Sequence, residues 1–358
     1  MNKNLYTVIM AGGFGSRFWP MSTKKFPKQF QDILGDGASV IQNTYNRVAN
    51  LVPSENILVS TNNSYKDLVL EQLPKLSEND LILEPCKRST APSILYAALK
   101  IYQKNPDAIM LIAPSDHWIK HESKFINSVS KAFDYCKSND VLMTLGIRPI
   151  TPTAEYGYIK YKNESNEIKQ VLEFVEKPNI EKAEEYLEQG DYLWNAGIFI
   201  WSAKSIIKAF KKELPEMTKL FEQGNTVYNT ENEKSFIENN YHHAENLSID
   251  FGVLESANNI CVLPVDFEWN DLGTWNSLYS KIPKDDQNNA IIGGETLLNN
   301  AKNNIIRTQS HKKVVIQGLS DFIVVEKDNV LFICPKDEEK YINKIRKKVT
   351  DKFGDNLV

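Results

Sequence analysis

A run of small residues and glycines, Ala11-Gly12-Gly13-Phe14-Gly15-Ser16-Arg17, follows an apolar segment and carries the first chemistry in the chain. Glycines let backbone N–H groups approach phosphate oxygens with no Cβ in the way and permit positive φ. Arg17 adds a forked cation suited to phosphate. No Lys-Ser or Lys-Thr pair ends the loop, which excludes a Walker A motif. The sixth position is Phe18 from Gly13 and Arg17 from Gly12, which breaks the dinucleotide fingerprint. On its own the loop also reads as a structural turn. Lys28, in Phe26-Pro27-Lys28-Gln29-Phe30, is either a surface charge or a second phosphate clamp.

Two aspartates are the next candidates. Asp116 stands in Pro114-Ser115-Asp116-His117 at the end of an apolar run, and Asp271 in Trp269-Asn270-Asp271-Leu272-Gly273. A carboxylate ending a buried strand is costly unless it meets a cation or donors. Magnesium suits one or two carboxylates completed by substrate phosphate oxygens. Spacing alone cannot pair positions so far apart, and each aspartate also reads as a cap or turn residue. His117 and His121 stand at i, i+4, but no third ligand points to zinc.

These residues need elements to hold them. Leu5 to Met10, Asn56 to Ser60, Leu81 to Leu83, Ala108 to Ala113 and Val141 to Ile147 read as buried strands. Helix-period segments at Ser39 to Val52, Ser64 to Leu73 and Thr90 to Lys104 alternate with them. That alternation predicts an α/β fold with a mostly parallel sheet flanked by helices. Ligands then sit beyond the carboxyl ends of the strands. Strands are also expected at Tyr156 to Tyr161, Ile168 to Val175 and Trp194 to Trp201, and amphipathic segments at Lys204 to Glu213 and Thr230 to Asn240. A polar break near Pro283 to Asn289 divides a catalytic part, 1–283, from a tail, 284–358. The tail shows five short strands spaced roughly ten residues apart, the pattern of a small β-roll or β-helix. A last helix begins near Asp337, with Tyr341, Ile342, Ile345, Val349 and Phe353 on one face. No catalytic residue types cluster in this tail, which therefore reads as a packing or assembly module.

The stretch from Gly12-Gly13-x-Gly15-x-Arg17 through Pro27-Lys28-Gln29 resembles the sugar-nucleotide pyrophosphorylases. Its Phe-Pro-Lys-Gln-Phe ending is similar to the branch that acts on GTP and mannose 1-phosphate. The resemblance implies a Rossmann-like fold of the nucleotide-diphospho-sugar transferase type and a nucleotidyl transfer that releases pyrophosphate. Arg17 and Lys28 are the catalytic pair it implies, with Mg²⁺ held between Asp116 and Asp271. It assigns nucleotide binding to Ala11, Gly12, Gly13, Gly15 and Ser16, and to Glu84, Pro85, Thr90 and Ala91 in Leu83-Glu84-Pro85 and Ser89-Thr90-Ala91. Glu84 would accept from guanine N1–H and N2–H₂. Thr90 is also a good N-cap for the helix that follows. Sugar-phosphate contacts are implied for Gly157 and Tyr158, for Glu176 and Lys177 in Phe174-Val175-Glu176-Lys177-Pro178, and for Asn195 and Gly197 in Trp194-Asn195-Ala196-Gly197. The motifs stand in the family's order over roughly residues 5 to 280.

Composition is consistent with this. The 358 residues are 42% hydrophobic and 25% charged, ordinary globular values, and the net charge of −4 argues against a nucleic-acid-coating protein. Four scattered cysteines form no C-x-x-C pair and read as reduced thiols. No apolar run approaches the length of a membrane span. A cytoplasmic protein with small-molecule substrates, no nucleic-acid or membrane partner, and a homodimeric assembly is expected. The rival readings are the same transfer with another base or sugar, such as glucose 1-phosphate with UTP or dTTP, and a silent nucleotide-sugar-binding regulatory subunit.

Overall fold

The structure, a computed structural model, describes residues 2–358. Seventeen strands follow one another along the described chain. The first eleven are β1 (Leu5–Met10), β2 (Ile57–Asn62), β3 (Leu81–Glu84), β4 (Ile109–Pro114), the two-residue β5 (Trp118–Ile119), β6 (Leu142–Ile147), β7 (Tyr158–Tyr161), β8 (Lys169–Val175), β9 (Tyr192–Ser202), β10 (Ile260–Val265) and the two-residue β11 (Trp269–Asn270). The tail supplies β12 (Ala290–Ile292), β13 (Glu295–Asn299), β14 (Ile305–Arg307), β15 (Lys313–Gln317), β16 (Phe322–Lys327) and β17 (Val330–Pro335).

The chain divides into two compact units, neither continuous in sequence. The first takes the residues up to Gly12 with Thr44–Ser115 and Ile119–Trp269. The second takes Gly13–Asn43, Asp116–Trp118 and Asn270–Val358.

A nine-stranded sheet, ordered β3-β2-β1-β4-β9-β6-β10-β8-β7, forms the centre of the first unit. Its β3-β2-β1-β4 block is parallel, as the strand–helix alternation requires. The whole sheet is mixed, however, because β9 runs antiparallel to both β4 and β6, and β7 and β8 are antiparallel to their neighbours. β8 and β9 are the two strands that oppose the rest, and the reversal between β7 and β8 has a physical reason. Parallel neighbours need a long crossover, usually a helix, and the short 162–168 link between β7 and β8 permits only a hairpin.

The helix Thr90–Lys104 lies deep in this unit, with eleven consecutive residues from Ala91 to Ile101 buried. Helices Ala203–Glu213, Pro215–Glu222 and Glu233–Asn240 follow β9. One polar knot lies inside this packing. Lys100 Nζ donates to both carboxylate oxygens of Glu233, at 2.6 and 2.7 Å, and the Tyr96 hydroxyl donates to the same carboxylate. A buried charge persists only when paired in this way.

In the second unit, Phe18, Trp19, Ile33 and Val40 share one core with Trp275, Leu278, Ile292, Ile305, Ile323, Phe332 and Ile342. The sequence break at 283/284 therefore falls inside a common core. Strands β12, β14 and β16 pair in parallel, β17 closes them antiparallel, and β13 pairs with β15. The last helix begins later than Asp337. A 3₁₀ segment occupies Lys336–Tyr341, and the α-helix runs Ile342–Phe353.

Candidate active site

In the parallel block, β1 and β4 end level, with Met10 opposite Pro114, and β2 ends opposite Glu84 of β3. The carboxyl end of β3 puts Glu84 in a buried position, 7% exposed. Its carboxylate is held from two sides. Ser60 Oγ donates to Oε1 at 3.2 Å and the Tyr241 hydroxyl to Oε2 at 2.8 Å. Burial pushes the Glu84 carboxyl up, and these two donors pull the other way. Gly12 lies directly against it, since a Cβ there would stand 3.1 Å from Glu84 Oε1. Ala11 is fixed by its N–H on the Ser60 carbonyl, at 2.7 Å. Pro85 follows Glu84 and is half-buried.

Thr90 does not cap its own helix, as the sequence suggested. It is the first helical residue, and its Oγ1 accepts the Ile249 N–H at 2.9 Å. The N-cap is Ser89, at φ 59° and ψ −158°, a backbone region occupied almost only by glycine. The Ala91 N–H donates to the Leu247 carbonyl, so the helix start is spent tying down the 247–249 segment. Tyr241 and Ser60 were not legible as site residues. A tyrosine on a distant 3₁₀ turn and a serine inside an apolar strand carry no local signal.

A second cluster gathers the sugar motifs of the same unit. Asn195, on β9, accepts from Thr144 Oγ1 and from the Gly197 N–H with its Oδ1, both at 3.0 Å. Its amide is thereby oriented, and Nδ2 donates to Asp250 Oδ1 at 3.1 Å. Gly157 leaves room for Glu176, because a Cβ there would come within 2.5 Å of Glu176 Oε2. Lys177, at φ 46°, sets its Nζ 2.9 Å from Glu176 Oε1. Tyr158 departs from expectation. Its side chain is fully buried against Tyr186, and its hydroxyl is used by the Thr153 backbone, so the ring cannot reach a sugar. Alternation along β7 explains this, since a residue paired between β8 and β9 must send its side chain to one packed face. Asp250, which sequence reading missed, opens a π-turn over Asp250–Leu254. Burial and the nearby Glu176 push its carboxyl up to about 7.

The remaining motifs lie in the second unit. Gly15 takes φ 69° and precedes a 3₁₀ turn over Ser16–Phe18 that presents Arg17 at the surface; Gly13 is also exposed. Lys28 packs its stem where a Gly15 Cβ would be, 2.5 Å from its own Cβ. The Lys28 ammonium is 3% exposed in side-chain terms and makes three bonds. It donates to Asp116 Oδ2 at 2.8 Å, to the Asp271 carbonyl at 3.2 Å and to the Leu272 carbonyl at 2.5 Å. Three acceptors account for all three donors of an ammonium. Lys28 is thus neither a surface charge nor, in this arrangement, an open clamp. It ties the Asp116 carboxylate to the main chain at Asp271 and Leu272. Burial opposes the charge on Asp116, but the Lys28 ammonium and His117 outweigh that and hold its carboxyl below the usual range. Asp271 Oδ1 accepts the Gly273 N–H at 3.0 Å. Among the described residues, no group of three or more His, Cys, Asp or Glu forms a self-sufficient metal cage.

A nine-stranded mixed sheet with a glycine loop leaving β1 is the framework of a nucleotidyl transferase. A family profile of that description, nucleotidyl transferase, matches residues 6–288. A mannose-1-phosphate guanylyltransferase of Escherichia coli is 32% identical over 357 residues, covering 96% of this chain and 75% of that relative. One of Salmonella montevideo is 36% identical over 355 residues, covering 95% and 73%. Among solved structures, one described as a mannose-1-phosphate geranyltransferase from Thermus thermophilus superposes with a TM-score of 0.88 at 26% identity, covering 97% of this chain and 99% of that one. The chain belongs to the nucleotidyl transferase family and, within it, to the mannose-1-phosphate guanylyltransferases.

Proposed function

We propose that this chain transfers GMP from GTP to mannose 1-phosphate, giving GDP-mannose and pyrophosphate. The observation that carries the base assignment is Glu84, a buried carboxylate with each oxygen already held by one donor and lying against Gly12. It suits guanine, whose N1–H and N2–H₂ both donate where adenine offers no such pair. Thr90, Ala91 and Pro85 frame that base, and Ala11, Gly12, Gly13, Gly15 and Ser16 take the triphosphate through backbone N–H groups. The sugar falls to Glu176, Asn195 and Gly197, with Gly157 giving clearance and Lys177 meeting the sugar phosphate.

The sugar phosphate is already ionised, so attack on the α-phosphorus needs no strong base. What the protein must do is hold two anions together and stabilise the charge that develops. Arg17 meets the phosphate oxygens, and Lys28 keeps Asp116 ionised and aimed. The two aspartates at the Lys28 knot fit a divalent ion that takes carboxylates and completes its shell with phosphate oxygens, Mg²⁺ being the natural choice. Bound there, such an ion would neutralise phosphate charge. Residues 1–283 carry the reaction in this reading. Residues 284–358 supply the assembly surface of a homodimer, their parallel β12-β14-β16 ladder being the start of a small β-helix.

The test is incubation with GTP, mannose 1-phosphate and Mg²⁺ and identification of the nucleotide sugar. GDP-mannose and pyrophosphate in equal amounts are expected. Faster turnover of glucose 1-phosphate with UTP or dTTP would overturn the assignment.

A further inference from the structure

The sugar cluster contains a carboxylate that the motifs do not account for. Asp250 enters it from the π-turn Asp250–Leu254, far along the chain from the segments that supply Glu176 and Asn195. An inserted residue in a helical turn redirects the side chain at that point, and such turns recur at functional sites. Here the turn is anchored just upstream, by the Ile249 N–H on Thr90 Oγ1. The backbone that carries Asp250 is thus held in place, and its carboxylate is oriented by Asn195 Nδ2.

Its carboxylate is held by its own backbone N–H and by Asn195. Asn195 cannot rotate its amide, because Oδ1 already accepts from Thr144 and Gly197, so Nδ2 must face Asp250 Oδ1. The second N–H of the Asn195 amide, the Asp250 carboxylate and Glu176 Oε2 thus lie close together, Glu176 acting electrostatically on Asp250 and both Glu176 Oε2 and Asn195 Cβ adjoining Gly157. Gly157 keeps that region clear, since any side chain there would collide with Glu176 Oε2. Two like charges close together are unfavourable in a half-buried setting, and no stability argument favours keeping both. An acceptor, a donor and a second acceptor in sequence are, however, what adjacent hydroxyls of a pyranose require, each hydroxyl donating once and accepting once.

We propose that Asp250 is a specificity-determining residue of the sugar site, accepting a hydrogen bond from one ring hydroxyl of the hexose 1-phosphate while Glu176 takes its neighbour. The inference rests on the guanylyltransferase reading given above. Asp250→Asn is the discriminating change. Its Oδ1 must still face Asn195 Nδ2, so its amide nitrogen turns to the ligand and replaces an acceptor by a donor.

The experiment measures steady-state kinetics of wild-type and D250N enzymes with mannose 1-phosphate and with its 2-, 3-, 4- and 6-deoxy analogues, at fixed GTP. In D250N the KM for mannose 1-phosphate rises at least about tenfold, with KM for GTP within about twofold of wild type, a loss equivalent to roughly 1.4 kcal/mol. One deoxy analogue that costs the wild type at least about tenfold costs D250N no more than about twofold, because the bond is already gone. Equal deoxy penalties in the two enzymes overturn the inference. So does a parallel rise in both KM values, which would mark Asp250 as structural. Asp250→Ser is the second variant, and it must show the same KM split. A wild-type chain that turns over no hexose 1-phosphate overturns the underlying reading and this inference with it.

Discussion

At the scale of single residues, charge balance decides most of what the site can do. Replacing Lys28 by Met leaves Asp116 without its counterion and two carbonyls without a donor. A melting-temperature drop corresponding to about 1–3 kcal/mol is expected. Unchanged stability would show that the knot of three bonds contributes nothing. Arg17→Ala and Asp116→Ala should each lower turnover by roughly a hundredfold or more, by analogy with losing one preorganised stabiliser; near-normal rates at saturating substrate would count against their roles. Asp250 gives a pH signature. Its carboxyl is raised in the folded chain to about 7 from an ordinary 3.8. The folded state therefore holds this proton more tightly than the unfolded one. The associated stability is complete below the unfolded value and is lost as pH rises through about 7. D250N should accordingly gain in melting temperature over wild type from pH 5 to pH 8, and a pH-independent difference would refute this. Residue types bearing charge or glycine were legible because their chemistry is local. Tyr241, Ser60 and Asp250 were not, because what qualifies them is the partner each meets across the fold.

Elements show the same division. Thr90–Lys104 was read to within about a residue, since its apolar period is uninterrupted and both ends carry polar residues. The parallel block was legible for the same reason, with buried strands punctuated by helices. Strand β13 was missed because Glu295-Thr296-Leu297-Leu298-Asn299 is poor in β-branched and aromatic residues, and only pairing with β15 makes it a strand. The Glu122–Ser138 helix was missed because its buried Phe125, Val129, Ala132, Phe133 and Cys136 are diluted by lysine and serine on the open face. Ser89 shows an element boundary under strain. With its backbone at φ 59°, ψ −158°, Ser89→Gly should raise stability by about 1 kcal/mol, read from denaturant midpoints. A loss instead would mean that the serine hydroxyl compensates locally. The Tyr241 turn belongs to this scale too, because it carries a hydroxyl to Glu84 from 157 residues away in the chain. Tyr241→Phe should raise KM for GTP by about ten- to a hundredfold, the worth of one hydrogen bond to a buried carboxylate, and discriminate less against ATP. Unaltered base preference would remove Tyr241 from base recognition.

For the molecule as a whole, among the described residues no helix is long and apolar enough to cross a membrane. The tail instead carries outward apolar side chains. Leu297 and Val315 are register partners at 66% and 72% exposure, and Leu331 is 64% exposed. If the proposed homodimer forms through this face, Leu297→Lys with Val315→Lys should give a monomer in light scattering; a dimer that survives both changes would refute the role of this face. The core shared by Phe18, Trp19 and Trp275 with Ile305, Ile323 and Phe332 has a further consequence. During synthesis, the segment ending at Asn43 leaves the ribosome long before the segment beginning at Asn270 exists. At ~5–20 residues per second, that interval is on the order of 10–50 s. For that time two large aromatic side chains beside the glycine loop have no native neighbours to cover them. Nascent chains stalled before Asn270 should therefore be held by a general chaperone or clipped by protease, and should become resistant once the ribosome has passed the tail.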